Sequence, residues 1–158
     1  MIKIRFSGDQ CPYNLRYGTI CLSCIIMTSG IVCTTDFSES SLGALKWSIE
    51  AAKRLDAPLT VLHIYRLTQQ NSEAVSLKRK LEEEAIENFA TIEHEHLTGS
   101  GIKYDFKTEI GFVDDRIEEH LKSNKISFLV MGKGMSLRNK ESFDDLLNQL
   151  QIPLVIIP

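Results

Sequence analysis

Five short strand-like runs alternate with four helical patterns along most of this chain, and this alternation constrains its fold more than any other feature. Most of the runs are rich in β-branched residues and short enough for buried strands. They are Ile31–Thr35, Leu59–Ile64, Tyr104–Ile110, Ile126–Met131 and Leu154–Ile157. Strict alternation predicts a parallel sheet with right-handed crossovers and helices on both faces. We therefore expect an α/β fold with an open five-stranded sheet of order 3-2-1-4-5.

The segments between the strands carry apolar residues at the three- and four-residue spacing of amphipathic helices. Ser38 can cap the first helix, which ends near Asp56. The second runs from about Glu73 to Leu97, and its three Lys/Arg–Glu pairs at i,i+4 spacing are explained as a solvated helix face. The third ends near Asn124. A loop after Gly132 leads to a fourth, marked by Phe143, Leu146, Leu147 and Leu150.

Length and composition suit one globular domain and disfavour several classes of partner. The chain has 158 residues, 43% of them hydrophobic and 25% charged. A net charge of -3 without a basic patch argues against nucleic-acid binding. No apolar run approaches the roughly 20 residues of a membrane span, and the broken stretch at 19–27 lacks a clear signal-peptide cleavage site. We expect a cytoplasmic protein with no membrane contact.

Residues 1–28 do not continue the strand–helix alternation. Gly8, Pro12 and Gly18 interrupt this segment, which predicts an irregular amino-terminal extension ahead of an α/β domain at 29–158. Met27 stands just before the first strand, so one interpretation places residues 1–26 upstream of the true start. The alternative is a genuine extension that covers an edge of the sheet.

The four cysteines lie within the first 33 residues of the chain. Cys21 and Cys24 form a CxxC pair, and Cys11 and Cys33 flank it. A zinc site would need a second ligand pair, and a thioredoxin-like motif would need the pair to open a helix. Neither context is present in the sequence, so reduced thiols are the main interpretation. A redox or metal sensor built on these cysteines is the alternative.

The sequence carries no recognisable catalytic constellation. His94 and His96 are two apart on a predicted helix and point to different faces, which disfavours a metal site. His63 ends the second strand, where a hydrogen-bonded structural histidine is the favoured interpretation. The GxSxG and GxxxxGK[ST] motifs are missing from the sequence. We therefore expect a protein that is not an enzyme.

A small-molecule site, if the chain has one, is expected where the first and fourth strands end. Ligands of open parallel sheets bind beyond the carboxyl ends of the strands, where the strand order reverses. The fourth strand runs into Gly132 and Gly134, and glycine permits close approach of a ligand to the backbone. Asp36 ends the first strand, where it can accept hydrogen bonds from a ribose or cap the turn into the helix. Both uses of Asp36 remain open.

Four stretches in the right order resemble the universal stress protein family. They are Ile31-Val32-Cys33-Thr34-Thr35-Asp36-Phe37-Ser38-Glu39-Ser40-Ser41, Leu59-Thr60-Val61-Leu62-His63-Ile64, Phe128-Leu129-Val130-Met131-Gly132 and Ile152-Pro153-Leu154-Val155-Ile156-Ile157. The resemblance covers about residues 30–157. It implies a Rossmann-like fold, usually a homodimer, and a role in stress survival. Many members bind ATP or AMP, and most are not enzymes.

The resemblance also implies which residues would contact a nucleotide. Thr35 and Asp36 would hold the adenosine end, Ile64 would line the adenine pocket through its backbone, and Met131 and Gly132 would follow. Gly134 belongs to the same glycine-containing segment. The phosphates would lie on a loop of the form G-x-x-G, nine residues, then G-[ST].

This sequence departs from that phosphate loop. Counted from Gly132, the second glycine is replaced by Met135 and the G-[ST] pair by Asp145-Leu146. Counted back from Pro153, the pair falls near Lys140-Glu141, so neither register recovers it. Glu141, Asp144 and Asp145 place carboxylates before the predicted last helix, where an anion would otherwise bind. Lys133, Arg138 and Lys140 compensate only in part. ATP is therefore expected to bind weakly or not at all, and adenosine or AMP better.

The last strand, Leu154–Ile157, is apolar and falls at an edge of the predicted sheet. An uncovered apolar edge recruits another strand, which predicts a homodimer through antiparallel pairing of this strand. The sequence as a whole predicts a non-catalytic stress-response protein that acts through dimerisation and contacts with a protein partner the sequence does not name. The alternative is an ATP- or AMP-binding stress regulator with slow ATP hydrolysis.

Overall fold

The central sheet is parallel and has the order β3-β2-β1-β4-β5, which confirms the predicted α/β fold. A computed structural model describes residues 29–67, 73–138, 146–148 and 150–158, so the predicted extension at 1–28 lies outside the described residues. The strands are β1 (Gly30–Thr35), β2 (Leu59–Tyr65), β3 (Tyr104–Ile110), β4 (Ile126–Gly132) and β5 (Leu154–Ile157).

The helices follow the predicted alternation with one correction after β4. They are α1 (Glu39–Leu55), α2 (Glu73–Ile92), α3 (Val113–Ser123) and α4 (Lys133–Arg138). α2 continues into a π-helical turn, Glu93–Leu97, which completes the predicted long helix. The prediction that a loop directly follows Gly132 is wrong, because α4 begins at the next residue, Lys133. Of the predicted last helix, residues 146–148 are described and are helical.

The sheet separates two apolar cores, and β1 contributes to both. On one face Cys33 packs with Leu45 of α1 and Phe89 of α2. On the other face Val32 packs with Ile117 of α3 and Met131 of β4. Five of the six residues of β1 are therefore buried. A strand covered on both faces is expected to be a continuous apolar run, as this one is.

Local sequence signals account for the ends and the exposed face of the helices. Ser38 adopts an extended backbone, and its side chain accepts a hydrogen bond from Ser41 N, which confirms the predicted cap of α1. Gly99 and Gly101 both have a φ of +76° just beyond the π-helical turn, where a left-handed backbone favours glycine. The three predicted ion pairs on α2 are present and span 3.3–3.7 Å. Their exposure limits each to about 0.2–0.5 kcal/mol.

No helix among the described residues is both long and apolar enough to cross a bilayer.

His120 gives a first prediction, on the pH dependence of stability. Its side chain is buried against β3, and Nε2 has no hydrogen-bond partner among the described residues. Burial, and secondarily the charge of Lys107, lower the pKa of His120 below 6.5, although Glu109 and Asp105 oppose the shift. The unfolded chain therefore binds more protons below pH 6.5, and the free energy of unfolding should fall as the pH drops through that value.

Urea denaturation at several pH values between 5 and 8 measures this effect. His120→Gln removes the titrating group and should flatten the acid side of the profile. The burial of His63 lowers its pKa as well, so some slope should remain. Identical slopes for the wild type and His120→Gln would contradict the prediction.

Candidate functional site

The carboxyl ends of β1, β2 and β4 lie side by side, so the predicted site residues come together at the carboxyl-terminal end of the sheet. Thr35 is the register partner of His63, the residue before Ile64. Cys33 is the partner of Val130, and this register continues toward Thr35 on one strand and Gly132 on the other. The structure thus places Thr35, Asp36, Ile64, Met131, Gly132 and Gly134 around the ends of these three strands. Their contact with a ligand stays a prediction.

Thr35 serves the turn that follows β1. Its side chain is buried, and Oγ1 lies 3.2 Å from Ser41 Oγ and accepts a hydrogen bond from Phe37 N at 3.1 Å. Ser41 Oγ in turn donates to Ser38 O at 2.9 Å. The hydroxyl groups of Thr35 and Ser41 therefore tie the end of β1 to the first turn of α1.

Asp36 caps the same turn, which is one of the two uses that the sequence left open. Its Oδ1 accepts hydrogen bonds from Ser38 N, at 3.1 Å, and from Ser38 Oγ. This arrangement is an Asx turn, in which a side chain replaces a backbone acceptor. Asp36 is half-buried as a residue, but its second carboxylate oxygen, Oδ2, is buried. The structure therefore shows the capping use of Asp36, and ligand contact stays a prediction.

His63 and Phe37 form an aromatic pair beside the turn. Phe37 has a φ of 61°, a left-handed conformation uncommon for a residue other than glycine. Its ring lies 4.6 Å from that of His63, centre to centre. Sequence reasoning missed this role of Phe37, because a positive φ at an aromatic residue has no sequence signal.

The histidine has a structural hydrogen bond, as the sequence predicted. His63 Nδ1 lies 2.9 Å from Thr35 O. A carbonyl oxygen only accepts, so Nδ1 carries the proton and donates. Burial lowers the pKa of His63, whereas the bond to Thr35 and the charge of Asp36 oppose that shift. The ring is therefore mainly neutral at pH 7 and fixed in orientation.

Gly132 and Gly134 allow close packing of the chain on itself. A Cβ atom at Gly132 would lie 2.6 Å from Ser40 O and 2.9 Å from Ser41 N. A Cβ atom at Gly134 would lie 2.6 Å from Ser40 Oγ. The sequence predicted that glycine here admits a ligand. In the structure, the first turn of α1 is the group that makes the close approach.

The remaining predicted positions are apolar or incompletely described. Met131 and Ile64 are buried in the core that also contains Val32. Met135, which replaces the second loop glycine, packs against the same core. Residues 139–145, including the three predicted carboxylates, lie outside the described residues.

The part of the chain that the structure describes offers few groups for metal binding or thiol chemistry. Within that part, no group of three or more histidine, cysteine or acidic residues is placed to hold a metal. Burial raises the pKa of the Cys33 thiol to about 12, so the thiolate required for redox chemistry or metal binding is disfavoured. Cys11, Cys21 and Cys24 lie outside the described residues.

The glycine contacts give a second prediction. Gly132→Ala should destabilise the protein by about 1–3 kcal/mol, because the added methyl group meets the backbone of Ser40. Gly134→Ala should also destabilise it, but Ser40→Ala should rescue this variant, since Ser40 Oγ is the atom in the way. Denaturation of the single and double variants measures the coupling.

Gly43→Ala is the matched control for these substitutions. Gly43 lies inside α1, and its added Cβ would meet only Ile157 Cγ2, at an ordinary 3.9 Å. Alanine there should stabilise the protein by about 0.5–1 kcal/mol through helix propensity. A Gly132→Ala variant as stable as the wild type would contradict the close approach of α1.

Comparison with solved structures shows the same fold. A universal stress protein family member from Burkholderia pseudomallei has 21% sequence identity and a TM-score of 0.68, over 84% of this chain and 97% of the other. For the universal stress protein UspA from Lactobacillus plantarum the values are 16% and 0.69, over 83% and 98%. For the universal stress protein from Archaeoglobus fulgidus in complex with dAMP they are 17% and 0.62, over 84% and 99%.

Comparison at the sequence level assigns the family. No curated protein sequence matches the chain significantly. The sequence model of the universal stress protein family matches residues 27–158, which include every described strand and helix. The chain therefore belongs to the universal stress protein family.

Proposed function

We propose that this chain is a non-catalytic universal stress protein that acts through dimerisation and partner contacts and binds a nucleoside or nucleoside monophosphate in preference to ATP. The observation that carries the nucleotide part is the packing of Ser40 against Gly132 and Gly134. A cytoplasmic location is part of the proposal, and the free, buried thiol of Cys33 is consistent with a reducing compartment.

An adenosine-sized ligand is supported by the convergence of three strand ends. Asp36, the backbone after Ile64 and the turn at Gly132 meet where ligands of parallel sheets bind. The Archaeoglobus fulgidus protein of the same fold was solved in complex with dAMP. The Asp36 carboxylate can accept a hydrogen bond from a ribose hydroxyl once a rotation of its side chain exposes Oδ2, which is buried in this structure.

Binding of a triphosphate at these strand ends is less well supported. A phosphate cradle needs several convergent backbone N–H groups and space next to glycine. Here Ser40 and Ser41 occupy the space beside Gly132, and Ser40 Oγ occupies that beside Gly134. The chain then winds directly into α4, so its backbone there follows a helix and not an open loop.

The non-catalytic part of the proposal is supported by how the polar groups at this edge are used. Thr35 Oγ1, Ser38 Oγ and Ser41 Oγ bond within the turn. His63 Nδ1 donates to a backbone carbonyl. A nucleophile next to a positioned base, the usual arrangement for hydrolysis, therefore finds no support among the described residues at this edge.

Calorimetry with adenosine, AMP and ATP tests the ligand, and this is the third prediction. AMP should bind about tenfold more tightly than ATP, a difference of about 1.4 kcal/mol. Asp36→Asn keeps an oxygen that can cap Ser38 N but loses the charge, so it should weaken AMP binding without unfolding the turn. Tighter binding of ATP than of AMP, with phosphate release, would instead favour an ATP-binding regulator with slow hydrolysis.

Dimerisation is supported by the contrast between the two edges of the sheet. β3, at one edge, carries Asp105, Lys107 and Glu109, and charges on an edge strand discourage pairing with another chain. β5, at the other edge, reads Leu-Val-Ile-Ile and pairs only with β4 among the described strands. A second copy can satisfy this edge through antiparallel pairing about a two-fold axis.

Light scattering across a concentration series gives the fourth prediction. The wild type should be a dimer at micromolar concentration, and Val155→Lys should shift it toward monomer. Ile156→Lys should do the same without disturbing the α1 core, because Ile156 is already 41% exposed. Asp105→Lys, on the opposite edge, is the matched control and should leave the dimer intact. A wild-type monomer at every concentration would contradict dimerisation through β5.

A further inference from the structure

One side of α1 and the adjoining strands form an apolar strip that runs alongside the outer edge of β5, which pairs only with β4 among the described strands. The strip consists of Gly43 and Trp47 of α1, Phe128 of β4, and Val155 and Ile157 of β5. Trp47 is 41% exposed, although its ring contacts that of Phe128 edge-on at a centroid distance of 6.0 Å. Val155, Ile157 and Phe128 are only half-buried in the core beneath α1. Large apolar groups grouped beside a free strand edge are typical of an interface.

We propose that a second copy of this chain covers the strip, and that Trp47 of each copy closes the α1 side of the β5 interface. This inference rests on the dimer proposed above and names the side chains that anchor it. Tryptophan is one of the side chains enriched among the residues that dominate binding energy at interfaces. A strip continuous with β5 is buried by the same partner that pairs with β5.

The position of Trp47 along the strand supports this assignment. Gly43 lies over Ile157, since a Cβ atom on Gly43 would be 3.9 Å from Ile157 Cγ2. Trp47 is four residues further, about 6 Å along the helix. Val155 lies about 6.6 Å from Ile157 along the strand. The backbone of Trp47 therefore lies about level with Val155, and its ring reaches Phe128, the residue before Leu129, which is the register partner of Leu154.

The distance between the two α1 helices of such a dimer also supports the assignment of Trp47 to the interface. α1 packs across β1, β4 and β5, so its axis lies between one and a half and two strand spacings from the outer edge of β5. Two copies paired through β5 would separate their α1 axes by about 14–19 Å, at ~4.8 Å per spacing. Helices in direct contact lie about 8–10 Å apart. The remaining gap over Val155 and Ile157 is one that a pair of tryptophan side chains can fill.

Fluorescence of the wild-type full chain tests the proposal directly, because Trp47 is its single tryptophan. Iodide quenching is measured over the concentration range in which light scattering follows dimer formation. The quenching constant should fall at least about threefold as the dimer forms. Trp47→Ala should raise the dimer dissociation constant about tenfold to hundredfold, and Trp47→Phe less. Val75→Ala, a 76% exposed apolar residue on α2, is the control and should change neither quantity.

Three other results would overturn this inference. A dimer whose Trp47 remains equally accessible, and which Trp47→Ala does not weaken, overturns this inference and leaves the proposed dimer standing. A monomer at every concentration overturns both. A monomer in which Trp47 is shielded, and becomes accessible when the chain is shortened to begin at Met27, would assign the strip to the amino-terminal segment and overturn the inference.

Discussion

The structure at the carboxyl ends of β1 and β4 depends on the close packing of the first turn of α1 against Gly132 and Gly134. β1 and β4 are neighbours, so the helix that leaves β1 must start beside the end of β4. Ser40 O would lie only 2.6 Å from a Cβ atom at Gly132, so a side chain there would force α1 away. Interiors are close-packed, and such a displacement would open the core around Cys33 and Leu45.

A chain of hydrogen bonds of 2.9–3.2 Å keeps that turn in place and occupies the polar groups at these strand ends. Asp36 holds Ser38, Thr35 pairs with Ser41, and His63 holds the carbonyl of Thr35. These groups satisfy backbone and hydroxyl donors that would otherwise be buried without partners. The polar atoms at this edge are thus committed mainly to the fold. This use of the polar atoms is the reason for our proposal that the site binds a ligand and does not catalyse a reaction on it.

The fold was predictable because its signals are repeated and local. Most strands are short apolar runs, most helices carry an apolar stripe, and their alternation leaves few parallel topologies. Gly132 and Gly134 were also identifiable as close-approach positions. That Ser40 makes the approach was not predictable, since glycine signals only a lack of space. The positive φ of Phe37 and the immediate start of α4 depend on tertiary contacts that periodicity does not record.

One helix, α1, connects the proposed ligand site with the proposed dimer interface. The first turn of α1 abuts the strand ends where a nucleotide would bind, and the same helix carries Gly43 and Trp47 above β5. α1 is a continuous helix, and its buried face from Ser41 to Ala52 fits a close-packed core. A ligand that needed the space beside Gly132 would therefore have to shift α1 as a body. Such a shift would also change the packing of Gly43 over Ile157.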